Sequence, residues 1–143
     1  MLYIVRPEDH DMLEHLARDP VRPHIPRELR LGQNRDIFAL RDTEVRALTC
    51  VSYLSRVPDA ESTLFEDIAT PVVAAFYTIW SYAPGAGREL LLSAVDHIRH
   101  HNRSITQFVT LSPKTSMAHR FHMANGARVL RENTQTINYE YCI

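Results

Sequence analysis

Val72 to Arg99 reads VVAAFYTIWSYAPGAGRELLLSAVDHIR and contains three different patterns in succession. Val72 to Tyr82 is apolar and rich in aromatic and β-branched residues, which suits a strand buried on both faces. Pro84, Gly85, Ala86 and Gly87 break that run. From Arg88 the period changes: Leu91, Ala94, Val95 and Ile98 stand at i, i+3, i+4 and i+7, the stripe of an amphipathic helix. The glycines fall where strand becomes helix. Backbone without side chains there can turn its N–H groups to an anion, and the helix N-terminus adds partial positive charge. A phosphate cradle and a plain tight turn both fit. A Walker A loop does not, because Arg88 and Glu89 follow Gly87 where Lys-Ser/Thr is needed. A dinucleotide fingerprint does not either, because Leu90 stands where its third glycine belongs.

On both sides of this stretch the chain alternates strand and helix patterns. Leu2 to Val5 reads as a short strand, and Pro7 opens a helix that should end near Asp19, with Met12, Leu13 and Leu16 on its apolar side. Val21 to Leu31, with Pro23 and Pro26, reads as irregular. Asp36 to Leu40 and Val45 to Leu54 form a hairpin. Ser55 to Pro71 is a long polar connection, a kind of segment that is often functional. After the central unit come a strand from Ile105 to Leu111, a break at Ser112-Pro113, and a helix capped by Thr115 or Ser116. Met117, Phe121 and Ala124 mark the expected buried stripe of that helix, and Gly126 its left-handed end. Ala127 to Arg131 and Thr136 to Tyr141 are the last strands. The order is β-α-β-β-β-α-β-α-β-β, an α/β or α+β arrangement in one domain, as 143 residues suggest.

Composition narrows the function classes. Net charge is -1, so no global field favours nucleic acid or membrane. No apolar run reaches the roughly 18 residues of a membrane span. Arg6, Glu8 and Asp9 interrupt the N-terminus before any secretory leader can form, so a reducing cytoplasm is the expected compartment. Cys50 and Cys142 are the only cysteines, and a disulfide between them is not expected. His97 and His101 are spaced i, i+4, but neither an HExxH motif nor a cysteine set accompanies them, so no metal site is expected.

Two motifs resemble those of the GCN5-related N-acetyltransferase (GNAT) superfamily. Tyr82-Ala83-Pro84-Gly85-Ala86-Gly87, followed by Leu90-Leu91, is similar to that family's Q/R-x-x-G-x-G/A loop, with Tyr82 at the Q/R position and the loop two or three residues short. Ala118-His119-Arg120-Phe121-His122-Met123-Ala124-Asn125-Gly126-Ala127 is similar to its A-x-x-F-Y-x-x-x-G-F ending, with His122 in place of Tyr and Ala127 in place of Phe. The resemblance implies a mixed central sheet of six to seven strands flanked by helices, with one splayed central strand. It implies acetyl-CoA or another acyl-CoA as co-substrate, with no metal. Gly85, Ala86, Gly87 and Arg88 would hold the pyrophosphate. Ile79, Trp80 and Ser81 would meet the thioester and pantetheine, and Ala118 and Phe121 would wall them in.

The activity so implied is transfer of an acetyl group to a primary amine by direct attack. His122 would protonate the departing thiolate, or else simply close a helix as a half-buried polar residue. Ser112 would bond pantetheine or make the turn before Pro113. Glu66 and Asp67 would deprotonate the amine, attract a cationic acceptor, or simply belong to a solvated loop. A thiol of pKa about 8.5 is a tolerable leaving group, so an acid helps without being indispensable. A non-catalytic module that binds CoA or a protein is the alternative. Malonyl-CoA decarboxylases, which carry a GNAT-like domain and use a Ser and a His, are a third comparison invited by Ser112 and His122. The acceptor is expected between Val21–Leu31 and Ser55–Pro71, and a homodimer is allowed.

Overall fold

The computed structural model describes residues 1–66 and 68–142, and Asp67 lies outside them. In chain order the elements are β1 (Leu2–Ile4), α1 (His10–Leu13), α2 (Arg27–Arg30), β2 (Arg35–Arg41), β3 (Val45–Leu54), β4 (Val73–Ser81), α3 (Ala86–His101), β5 (Gln107–Thr110), β6 (Ser112–Pro113), α4 (Ser116–Ala124), β7 (Arg128–Glu132) and β8 (Thr136–Tyr141). Short 3-10 turns lie at Glu14–Arg18 and Glu61–Thr63. The sheet runs β1-β2-β3-β4-β5-β8-β6, with β7 also paired to β8. Among the described residues only β4 and β5 pair in parallel, through the crossover helix α3. No helix of the described residues is long and apolar enough to cross a membrane.

Strand alternation divides the core. Phe38, Leu40, Ala74 and Phe76 meet Leu90, Leu91, Ala94, Val95 and Ile98 of α3 on one face. Ile37, Ala39, Ala75, Tyr77 and Trp80 meet Met12, Leu13, Leu16 and Ile25 on the other. The central strand is therefore buried on both faces, as its continuous apolar run implies.

Several elements differ from the sequence expectation. The first helix begins at His10 rather than Pro7, because the Asp9 carboxylate accepts from Arg6 N (2.7 Å) and the Tyr3 hydroxyl and turns the chain. Its continuation past Leu13 tightens into the 3-10 turn. Helix α3 starts at Ala86, directly after Gly85 at φ 78°. Ser112-Pro113 breaks β5 as expected but then pairs with β8. Of the stripe Met117–Phe121–Ala124 only Phe121 packs against the core, half-buried: Met117 is 74 % exposed and Ala124 is exposed. The side chain that α4 buries is His122. A stripe reads as buried only if something covers it, and here an open cleft lies beneath Met117.

Candidate active site

Strand β4 carries one residue too many for its partner. Phe76 pairs with Val51 and Thr78 with Cys50, so Tyr77 is the extra residue of a β-bulge. Parallel pairing with β5 stops at Phe76 and Thr110, where Leu111 N donates to Phe76 O (3.0 Å). Beyond that point β4 has β3 on one side and an opening on the other. Tyr82 N donates to Arg46 O on β3. Successive N–H groups of a strand alternate sides, so those of Ile79 and Ser81 turn to the opening.

The opening is a cleft of about 600 Å³ that passes between the two faces of the sheet. Thr78, Ile79, Trp80 and Ser81 line it from β4, and Ala118, Phe121 and His122 from α4. Among the described residues no Asp, Glu, Lys or Arg lines it. Trp80 is only 8 % exposed and donates through Nε1 to the Tyr82 hydroxyl (3.1 Å), which also meets His15 Nδ1 (2.9 Å). Tyr82 thus braces the end of β4 against the first helical segment.

At the closed end, Ser112 Oγ lies 3.3 Å from His122 Nε2 and donates to Thr110 Oγ1 (2.8 Å). His122 Nδ1 lies 2.6 Å from the Tyr141 hydroxyl, and its ring stacks on Tyr139 at 4.8 Å. Burial pushes the Tyr141 phenol well above its ordinary value, so it keeps its proton and is able to donate to Nδ1. The Ser112 hydroxyl hydrogen goes to Thr110 Oγ1, so the Ser112 oxygen accepts from His122, which carries its hydrogen on Nε2. Burial also lowers the His122 pKa to about 4, so the ring is neutral at pH 7. The imidazole is therefore a donor toward Ser112, and Ser112 is not being activated as a nucleophile. Chain proximity does not make this cluster: 10 residues separate Ser112 from His122 and 19 separate His122 from Tyr141.

The glycine loop opens on the same side. Ser81 to Gly85, Gly87, Arg88, Phe121 and Asn125 line a second hollow of about 550 Å³ at the start of α3. Among the described residues the N–H groups of Gly87 and Arg88 have no partner, whereas Ala86 N is used by Ala83 O. Gly87 itself is glycine for packing: an added Cβ would stand 3.2 Å from the Phe121 ring. Arg88 Nη1 donates to Asn125 Oδ1 (3.2 Å).

Glu66 is not part of this assembly. It is exposed and lines a separate hollow with Arg56 and Arg131. Asp67, paired with it in the sequence reading, is outside the described residues.

Sequence reasoning missed the polar cluster under the bulge. Asp19, 2 % exposed, accepts from Val21 N, Arg22 N, Arg30 Nη1 and Thr78 Oγ1. Arg22, 5 % exposed, donates through Nη1 to Tyr77 O in the bulge and through Nε to Glu61 (3.0 Å). Three arginines in Val21–Leu31 were its only trace in the sequence, and arginines are usually exposed. Tyr139 and Tyr141 read simply as strand residues.

Known structures share this architecture. The GNAT domain of PAT from S. lividans is 13% identical, with a TM-score of 0.68 over 98% of this chain and 88% of that one. The Arabidopsis thaliana protein NAA60, in complex with acetyl-CoA, is 14% identical, with a TM-score of 0.68 over 100% of this chain and 99% of that one. The fold is GNAT-like. Malonyl-CoA decarboxylase from Agrobacterium vitis is 17% identical, with a TM-score of 0.86 over 100% of this chain and 60% of that one. The GNAT-like chain therefore spans 60% of the decarboxylase chain's length. No family model matches the sequence, and no curated protein does either.

Proposed function

We propose that the chain binds an acyl-CoA across the start of α3 and decarboxylates a malonyl-type thioester in the cleft between β4 and β5. The observation that carries this reading is the Ser112–His122 contact at the end of a cleft without carboxylates. An amine acceptor arrives as an ammonium and needs a base; decarboxylation needs only an electron sink and a proton donor. The higher TM-score to the decarboxylase than to the acetyltransferases supports the same ranking.

The pantetheine arm would enter beside Ile79, Trp80 and Ser81, with Ala118 and Phe121 as its walls and Gly85, Ala86, Gly87 and Arg88 at the pyrophosphate. The bond between the acyl α-carbon and its carboxylate breaks, carbon dioxide leaves, and the electron pair enters the thioester as an enolate. The outward N–H groups of β4 hold the enolate oxygen, where charge develops. His122 Nε2–H gives its proton to the α-carbon as Tyr141 passes its own to Nδ1; a solvent proton from the cleft then returns to Nε2, and Nδ1 hands its proton back to Tyr141. Ser112 holds Nε2 in line until the substrate arrives.

A second reading is acetyl transfer to an amine. The observation favouring it is a hollow of about 580 Å³ walled by Val21, Arg22, Asp59, Glu61 and Glu132, between the two segments where an acceptor was expected.

Purified protein incubated with malonyl-CoA should yield acetyl-CoA and carbon dioxide in equal amounts, read by mass spectrometry and carbon dioxide capture. His122→Asn should slow this roughly 100-fold or more, in the range of general-acid contributions. Malonyl-CoA that stays intact while acetyl-CoA is consumed against an amine panel would move the assignment to acetyl transfer.

A further inference from the structure

The hollow of about 580 Å³ on the α1 face shares Val21 and Pro113 with the cleft, so the two adjoin. Its buried charge is Arg22. The guanidinium uses Nε on Glu61 and Nη1 on Tyr77 O, and Tyr77 also lines the cleft. Nη2 has no hydrogen-bond partner among the described residues, and it is not sealed from the hollow. A guanidinium this buried, with donors left over and facing open space, is a carboxylate receptor with one side unfilled.

The backbone around it is rigidly held. Arg22 N donates to Asp19 Oδ1 (3.0 Å), and Arg22 O accepts from Arg30 Nη2 (2.6 Å). The acids nearby are mostly occupied. Glu61 is shared by Arg22 and His24, and Glu132 pairs with Lys114 at 3.2 Å. Asp59 is the remaining carboxylate of that wall.

Resting on the decarboxylase reading, we propose that Arg22 is a specificity-determining residue that receives the free carboxylate of a dicarboxylic acyl group. The thioester lies against Ile79 and Ser81, and the acyl group crosses the splay toward Tyr77. Its carboxylate then meets the unused edge of the guanidinium. A monocarboxylic acyl-CoA leaves that edge unfilled, so the site distinguishes malonyl-type from acetyl-type thioesters by charge.

Carboxyethyl-CoA and propyl-CoA test this at equilibrium. They are thioethers of equal length, one ending in a carboxylate and one in a methyl group, and neither can be turned over. Calorimetry on the wild-type chain should show carboxyethyl-CoA bound roughly 10- to 100-fold more tightly, the range of charge-assisted hydrogen bonds. Arg22→Met should erase that preference, and Arg22→Lys should keep part of it. Equal affinities in the wild type overturn the proposal without any variant and leave the acyl-CoA site standing. So does a preference that survives in Arg22→Met. If neither ligand binds the wild type, the acyl-CoA reading falls and the carboxylate site with it.

Discussion

His122 owes its neutral state to burial between Tyr139 and Tyr141 rather than to any nearby cation. An unfolded histidine titrates near 6.5, and the folded one at about 4. Between those values the unfolded chain takes up a proton that the folded chain refuses. Stability therefore falls as pH drops from about 6.5 toward 4, and the loss levels off below the folded value. For this residue it amounts to roughly 3 kcal/mol. His122→Phe keeps the ring volume and removes the titration. Its melting temperature should fall less than that of the wild type between pH 7 and pH 5, judged by slope, since losing the Tyr141 bond shifts the absolute value. Parallel slopes would place the titration elsewhere. A step in the rate profile assignable to this imidazole should stand at about pH 4 rather than at the ordinary histidine value.

Among the elements, α4 carries the site, and its end is set by backbone stereochemistry. Gly126 stands at φ 90°, Gly126 N donates to Met123 O (3.2 Å), and Ala127 N donates to His122 O (3.1 Å). These are the two bonds of a Schellman cap. An added side chain at Gly126 would meet no atom within 4 Å, so only the dihedral angle is strained. Gly126→Val should destabilise more than Gly126→Asn, by about 1 kcal/mol or more in urea unfolding, because a β-branched residue fits the left-handed region poorly. The cap bonds His122's own carbonyl, so the Val variant should also weaken acyl-CoA binding. Equal unfolding midpoints would mean that the helix end tolerates either residue.

In the whole molecule, the segment that closes the cleft is tied to the sheet by buried charge. Arg30 is fully buried, pairs with Asp19 at 2.8 Å, and donates to the carbonyls of Ile25 and Arg22. Burial works against the Asp19 carboxylate, but its bonds from Arg22 N, Arg30, Thr78 and Val21 N outweigh that and lower its pKa. Arg30→Met leaves that carboxylate buried without its cation and should cost about 3 kcal/mol or more. The double variant Asp19→Asn, Arg30→Met should recover part of the loss. Urea midpoints of the three proteins measure it, and a cost under about 1 kcal/mol for Arg30→Met would show the segment folding independently of its buried pair. Pro20 and Val21 line the cleft, so the destabilised variant should lose ligand affinity as well.

What the sequence alone determined is what physics enforces within a few residues. The apolar run read as Val72 to Tyr82, the i, i+4 stripe of α3, a cap at Thr115 or Ser116, which falls on Thr115, and the left-handed Gly126 are local matters of periodicity, capping and dihedral preference. The GNAT-like order of elements followed from them. What the tertiary structure decided depends on side chains far apart in the chain. The bulge at Tyr77 exists because β3 pairs with β4 out of step, and Arg22 reaches its carbonyl from 55 residues away. The stripe of α4 holds at Phe121 and fails at Met117 and Ala124, because periodicity shows which residues share a face but not whether that face meets a core or a cleft. Ser112, His122 and Tyr141 become one donor chain only when β8 is laid beside β5 and β6, and burial then removes the imidazolium charge. Local preference carries no information about that burial, because the water is excluded by residues far away in the sequence.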